Sequence, residues 1–167
     1  MVWVKSKEKI EFSIPGRPPC RGRGQGPRKQ ENGYKKKPRK TTQNAYASVV
    51  AMIAKNAIAT QNWNYDENSP VYIVITVNLP VPTSGVRVDR VERMRKNQEL
   101  PVRYPQVDAI MRVIMYALCG IAYKNCKQVV STLVAKRYVK SNDQQSVEVL
   151  VGKPENWGEL NYDLRNS

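Results

Sequence analysis

The chain of 167 residues contains no histidine. That single absence removes every mechanism that needs an imidazole: a Ser-His-Asp triad, a Cys-His pair, a histidine-ligated zinc deaminase. Cysteine is scarce too. Cys20, Cys119 and Cys126 are an odd number with no paired C-x-x-C spacing, so no zinc site follows from them. They read as reduced thiols of an intracellular protein. No apolar run approaches the ~18 to 20 residues that a membrane span needs. The opening MVWVKSKEKIEF lacks the apolar stretch and cleavage site of a signal peptide, which predicts a cytoplasmic protein. Acids are few: 14 Asp and Glu stand against 28 Lys and Arg, a net charge of +14.

What is present points in a definite direction. Hydrophobic residues make up 41%, enough for a real core in one domain of ordinary size. A folded protein this basic has a polyanion as its expected partner, with nucleic acid first among the candidates. Any hydrolysis must rest on carboxylates and a metal ion, or on lysine or tyrosine.

Along the chain, KIEFSIPG (9–16) alternates Ile10, Phe12 and Ile14 on one face and ends at Pro-Gly, a short strand. The stretch 17–40, rich in Gly, Pro, Arg and Lys with Glu31 as its one acid, predicts a mobile basic loop. From Thr41 or Thr42, either a fitting N-cap, Ala45, Val49, Met52, Ile53 and Ala57 fall at helical spacing and predict an amphipathic helix to Gln61. PVYIVITVNLPVP (70–82) is apolar on both faces and fits a central strand. Residues 83–104 form a long charged connection whose middle, VDRVERMRKNQEL, suits a short helix. PQVDAIMRVIMYAL (105–118) predicts a helix from Gln106 or Val107 that buries Val107, Ile110, Met111, Ile114 and Leu118 and stops at Gly120. KQVVSTLVAKRYVK reads as a strand, SNDQQ as a hairpin turn and SVEVLVG as the last strand. The order β-α-β-α-β-β describes one α/β (α+β) domain over 1–152, two main helices on a small mixed sheet, followed by a polar tail at 153–167.

Three stretches together resemble the RusA family of Holliday junction resolvases of phages and prophages. IPGRPPCRGRG matches the family's strand, Pro-Gly turn and basic, Pro-rich loop. PQVDAIMR matches its Pro-Asp-x-Asp-Asn motif at the head of a helix, with a lysine four residues after the second Asp. YKNCKQVV, followed by AKRY, matches its turn with an acid pair before Gln-Val and a strand. The resemblance covers roughly 9–151 and is most specific over 105–138. It implies a RusA-like fold, a homodimer, branched DNA as the ligand, and magnesium held by a cluster of carboxylates.

The departures fall on the chemistry. Gln106 stands at the first acid position, Ala109 at the Asn, Arg112 at the lysine, and Asn125 and Cys126 at the acid pair. Asp108 alone is retained. Magnesium prefers anionic oxygen ligands in near-octahedral geometry, and a thiol suits it poorly. The expectation is therefore a structure-selective DNA-binding protein with Asp108 and Arg112 as remnants of the active site, magnesium held weakly at Asp108 or not at all, and little or no cleavage. The DNA contacts expected are Arg17, Arg21, Arg23, Arg28, Lys29, Lys35, Lys36, Lys37, Arg39 and Lys40 in the basic loop, with Arg112, Lys124 and Lys127. Tyr34, Tyr104 and Tyr123 lie beside basic residues and suit either base stacking or the edge of the core. The plain alternative for Asp108 is a helix-end charge worth about 0.3 to 1 kcal/mol, paired at i,i+4 with Arg112. Two other functions stay open. An active magnesium- or manganese-dependent resolvase needs replacement acids, and Asp89 or Glu92 are the nearest by sequence. A scaffold reused as a regulatory or anti-defence factor needs a host or phage protein partner, for which 83–104 and the tail offer surface.

Overall fold

Alternation dictates the first strand. In the computed structural model, which describes residues 8–19, 42–82, 84–102, 105–140 and 144–154, β1 runs over Lys9–Pro15 with Ile10 and Ile14 fully buried. The other strands are β2 (Val71–Pro80), β3 (Val129–Val139) and β4 (Ser146–Gly152). They form one sheet in the order β1-β4-β2-β3. β4 pairs antiparallel with both β1 and β2, and β3 pairs parallel with β2. β2 is central, as its two-sided apolar sequence requires.

This topology corrects one expectation. β3 and β4 are not a hairpin, because β2 lies between them. Lys140 and Gln145 therefore lie on either side of the end of β2. Two strand spacings are about 9.6 Å, well within the reach of the intervening chain at ~3.3 Å per residue. The physical reason is that β2 has apolar side chains to bury on both faces, which suits an inner strand, whereas β3 is only partly buried along its length.

The helices are α1 (Thr42–Gln61), α2 (Val88–Arg95) and α3 (Val107–Leu118). Each is followed by a residue with positive φ: Asn62, Asn97 and Gly120. Gly and Asn adopt this left-handed conformation at least cost, so the chain carries its stop signals in the sequence. Cross-strand partners place Ile10, Ile14, Ile73, Ile75, Val77, Val147, Val149 and Val151 on one face of the sheet. That face forms the core with Val50 and Ala54 of α1 and Ile110, Ile114 and Leu118 of α3. On the other face Tyr72 lies across its register partner Gly152, where any Cβ would meet the ring. The glycine makes room for the aromatic side chain, which covers backbone that glycine leaves bare.

Two helical faces also differ from expectation. α1 buries Val50, Ala54 and Ala57, while Val49 is 39% and Met52 59% exposed and Ala45 is exposed. In α3 Val107 is 38% exposed, and Ala117 joins Ile110, Ile114 and Leu118 in the core.

Candidate functional site

The two long helices run in the same sense. Near its C-terminus, α1 is fixed by Gln61, which accepts from the Glu11 N–H (2.9 Å) and donates to the Glu11 carbonyl (2.7 Å). Trp63 Nε1 then donates to the Ala122 carbonyl (2.9 Å), joining that end to the turn beyond α3. α3 lies antiparallel to β3: Lys136 Nζ donates to the Pro105 carbonyl at one end (3.3 Å), and Thr132 meets Met115 at the other. The N-terminal turns of α1 and α3 therefore open side by side, at the end of the sheet where β2 and β3 finish.

Between them lies a cleft of about 300 Å3 lined by Asn44, Ala47, Gln106, Asp108, Ala109, Arg112, Val113 and Tyr116. Asp108, Arg112 and Tyr116 recur every four residues and form one line up α3. All three are exposed, Tyr116 by 70%. Gln106 is the N-cap of α3 but its side chain makes no capping bond. Asp108 takes no part in the ion pairs of the described residues, so the expected pair with Arg112 is not formed. Two helix N-termini and Arg112 make this end electropositive. One carboxylate sits within it.

Asn125 and Cys126 are elsewhere. From Asp108 to Leu118 the helix rises about 15 Å, and the 3-10 turn Cys126–Gln128 packs at the far end. There the Asn125 side chain accepts from the Lys127 N–H (3.1 Å), and Gln128 Oε1 accepts from the Asn125 N–H (2.9 Å). Gln128 Nε2 donates to the carbonyls of Asp66 and Ser69. The amide at an expected acid position is thus part of a reciprocal cap that ties the turn to the chain before β2. The Cys126 thiol lies against Cys119 and the Met115 carbonyl. Burial, then Cys119, pushes it up to about 11, the opposite of what a metal-binding thiolate needs.

Of the expected DNA contacts, Arg112 lies in the cleft, and Arg17 follows β1 at the same end of the sheet, where the Gly16 N–H donates to the Gln145 carbonyl (2.9 Å). Lys124 and Lys127 flank the distant turn, and Lys124 is paired with Glu67. Arg21, Arg23, Arg28, Lys29, Lys35, Lys36, Lys37, Arg39 and Lys40 lie outside the described residues, as do Tyr34 and Tyr104. Tyr123 is fully buried, its Oη donating to the Met115 carbonyl (2.6 Å). It belongs to the core and offers no ring to a base.

Neither Asp89 nor Glu92 lines the cleft that holds Asp108. Among the described residues no group of three or more Asp, Glu or Cys is placed to hold a metal ion. A hard divalent cation wants several anionic oxygens. Asp108 with neutral amides from Gln106 and Asn44 does not fit it. A second recess of about 500 Å3, between the end of β2 and α2, is lined by Val81, Pro82, Val86, Val88, Val91, Arg95 and Lys140 and carries no acid. Sequence reasoning missed Asn44, Ala47 and Tyr116. Tyr116 was detectable from its spacing after Arg112, whereas Asn44 reaches the cleft only through the packing of α1 on α3.

The family model described as Endodeoxyribonuclease RusA matches residues 15–151, from the last residue of β1 to the penultimate residue of β4. No curated protein matches the chain.

Proposed function

This chain belongs to the RusA family of endodeoxyribonucleases, and from that premise we propose that it binds branched DNA as a homodimer and cleaves it weakly or not at all. The family is one of Holliday junction resolvases, generally dependent on a divalent metal. The observation that carries the reading is the makeup of the cleft: one carboxylate, Asp108, beside Arg112 and between two helix N-termini. Phosphodiester hydrolysis by a metal ion needs that ion held where it activates water and neutralises developing charge, and the donors here do not fit one. What they suit is the phosphate itself. Backbone N–H groups of the first helical turns and the Arg112 guanidinium donate to phosphate oxygens. Residues 20–41 end immediately before α1, three residues from Asn44 in the cleft wall. The two-fold symmetry of a four-way junction matches a homodimer. A phage or prophage gene in a bacterial cell is the source this reading expects, and no described helix is long and apolar enough to cross a membrane.

The test pairs binding with cleavage. A labelled four-way junction and a matched duplex are mixed with the protein over a salt series, with magnesium or manganese present. Native gels are expected to show junction-selective complexes, and denaturing gels no paired nicks. Symmetric nicking that disappears in Asp108→Asn would overturn the reading and make the chain an active resolvase.

A further inference from the structure

Of the aromatic rings among the described residues, one is left open to solvent, and it stands on the wall of the cleft. Tyr116 is 70% exposed. Every other described aromatic residue, from Trp63 and Tyr123 in the core to Phe12 and Tyr138 at its margin, is buried or half-buried. A single exposed ring is ordinary on a helix surface, so the weight falls on what surrounds this one. Tyr116 follows Arg112 by one turn of α3, about 5.4 Å along the axis, and both line the cleft. Among the described residues neither side chain makes a hydrogen bond, ion pair or ring contact. Ala47, Ala109 and Val113 give the same cleft small apolar walls, and the amides of Asn44 and Gln106 complete its lining.

We infer that Tyr116 is the stacking platform for one unpaired base, with Arg112 on a phosphate of the same nucleotide. The inference rests on the DNA-binding reading of the cleft and deepens it by naming an unpaired nucleotide as what the cleft selects. Charge alone cannot make that selection, because a basic surface meets the phosphates of a duplex and of a junction alike. A tyrosine ring can make it. A base inside a duplex has both faces covered by its neighbours, whereas a base at an open branch point has a face free for an aromatic side chain. One helical turn is about the step from a nucleotide's phosphate to its base, so the guanidinium and the ring suit the two ends of one nucleotide. The amides of Asn44 and Gln106 carry both donors and acceptors and can meet the edge of any base, while the stack itself is indifferent to sequence. Tyr123, a stacking candidate by sequence, lies in the core. Tyr116 is the ring set beside a phosphate-binding cation.

Three labelled DNAs read this on the full chain: a four-way junction, a matched duplex and a single-stranded oligothymidylate, each titrated by fluorescence anisotropy. Tyr116→Ala should weaken binding to the junction and the single strand on the order of 10-fold and leave the duplex unchanged. Tyr116→Phe keeps the ring and should bind all three like the wild type. The slope of log Kobs against log salt should stay the same in both variants, because no phosphate contact is lost. Abasic sites at the branch point should cost the wild type as much as Tyr116→Ala does and cost that variant nothing more, as expected of a single shared contact. This abasic arm tests the stack on the unaltered chain. Wild-type affinity in Tyr116→Ala, equal losses on all three DNAs, an equal loss in Tyr116→Phe, or an abasic penalty that adds to that of Tyr116→Ala would each overturn the inference. Any of these beside a wild type that prefers the junction sinks the platform alone. A wild type that binds the junction no better than the duplex sinks the functional reading, and the single strand then decides the platform by itself.

Discussion

Tyr46 and Tyr123 are both polar aromatics set into the helical layer, and the difference between them is one hydrogen bond. Tyr123 Oη donates to the Met115 carbonyl at 2.6 Å, whereas the buried Tyr46 Oη has no partner among the described residues. An unmatched buried hydroxyl costs about 1 to 3 kcal/mol, and a matched one contributes about 0.5 to 1.5 kcal/mol net. Tyr123→Phe should therefore destabilise by about 1 kcal/mol or more, leaving the Met115 carbonyl with one partner fewer. Tyr46→Phe should be neutral or stabilising by up to about 1 kcal/mol. Urea unfolding of the two variants checks both signs. Burial raises both phenols above their ordinary value of 10.0. A raised folded pKa means that the native state holds its protons longer than the unfolded chain. Stability from these groups is thus full below about pH 10 and falls as the pH rises beyond it. Unfolding measured on either side of that pH, with phenolate absorbance followed in parallel, tests this. Tyr123 also shows what the sequence conceals at this scale. Between Ala122 and Lys124 it reads as a stacking ring or, by preference, as the edge of the core, and the return of the turn onto the end of α3 decides for the core.

At the scale of elements, the head of α3 carries the clearest opportunity for change. Gln106 occupies the N-cap without a capping bond. Asp is among the best N-cap residues, worth ~0.5 to 2 kcal/mol over residues that do not cap, and its charge favours the helix N-terminus. Gln106→Asp should raise the melting temperature by a few degrees, and it places a second carboxylate two residues from Asp108. Calorimetry with and without magnesium then tests whether two acids hold the ion where one does not. A further magnesium-dependent rise in the variant alone is the expected outcome. The elements were largely legible in advance because their signals are local: alternation in β1, two-sided apolarity in β2, the stop at Gly120. α1 misled because it has two apolar stripes of equal spacing, and periodicity fixes that a helix is two-sided without fixing which side meets the sheet. The β3–β4 link misled because a short polar turn between two strands is the usual mark of a hairpin, and nothing nearby reveals that β2 claims the space between them.

For the whole molecule, the sequence singled out candidate positions without revealing how the fold distributes them. Positions 106, 108 and 112 share the cleft, while 125 and 126 lie at the opposite end of α3. Their separation follows from α3 and β3 running antiparallel, a consequence of the parallel β2–β3 pairing that no short motif encodes. Affinity for DNA, in contrast, follows from charge that the sequence states outright. Each phosphate neutralised on duplex arms steepens the fall of log Kobs with log salt by about 0.9. Replacing Lys35, Lys36 and Lys37 by Ala should flatten that slope by up to about 2.7 if all three meet phosphate. It should weaken junction and duplex to similar degrees, because phosphate contacts carry affinity without reading structure or sequence. Arg112→Ala removes one contact inside the cleft and should flatten the slope by no more than about 0.9, while lowering the preference for the junction. Competition titrations of both variants across a salt series separate the two roles. Equal loss of selectivity in both would place junction recognition in the basic segment rather than in the cleft. An unchanged slope in the triple variant would show that these lysines do not meet the backbone.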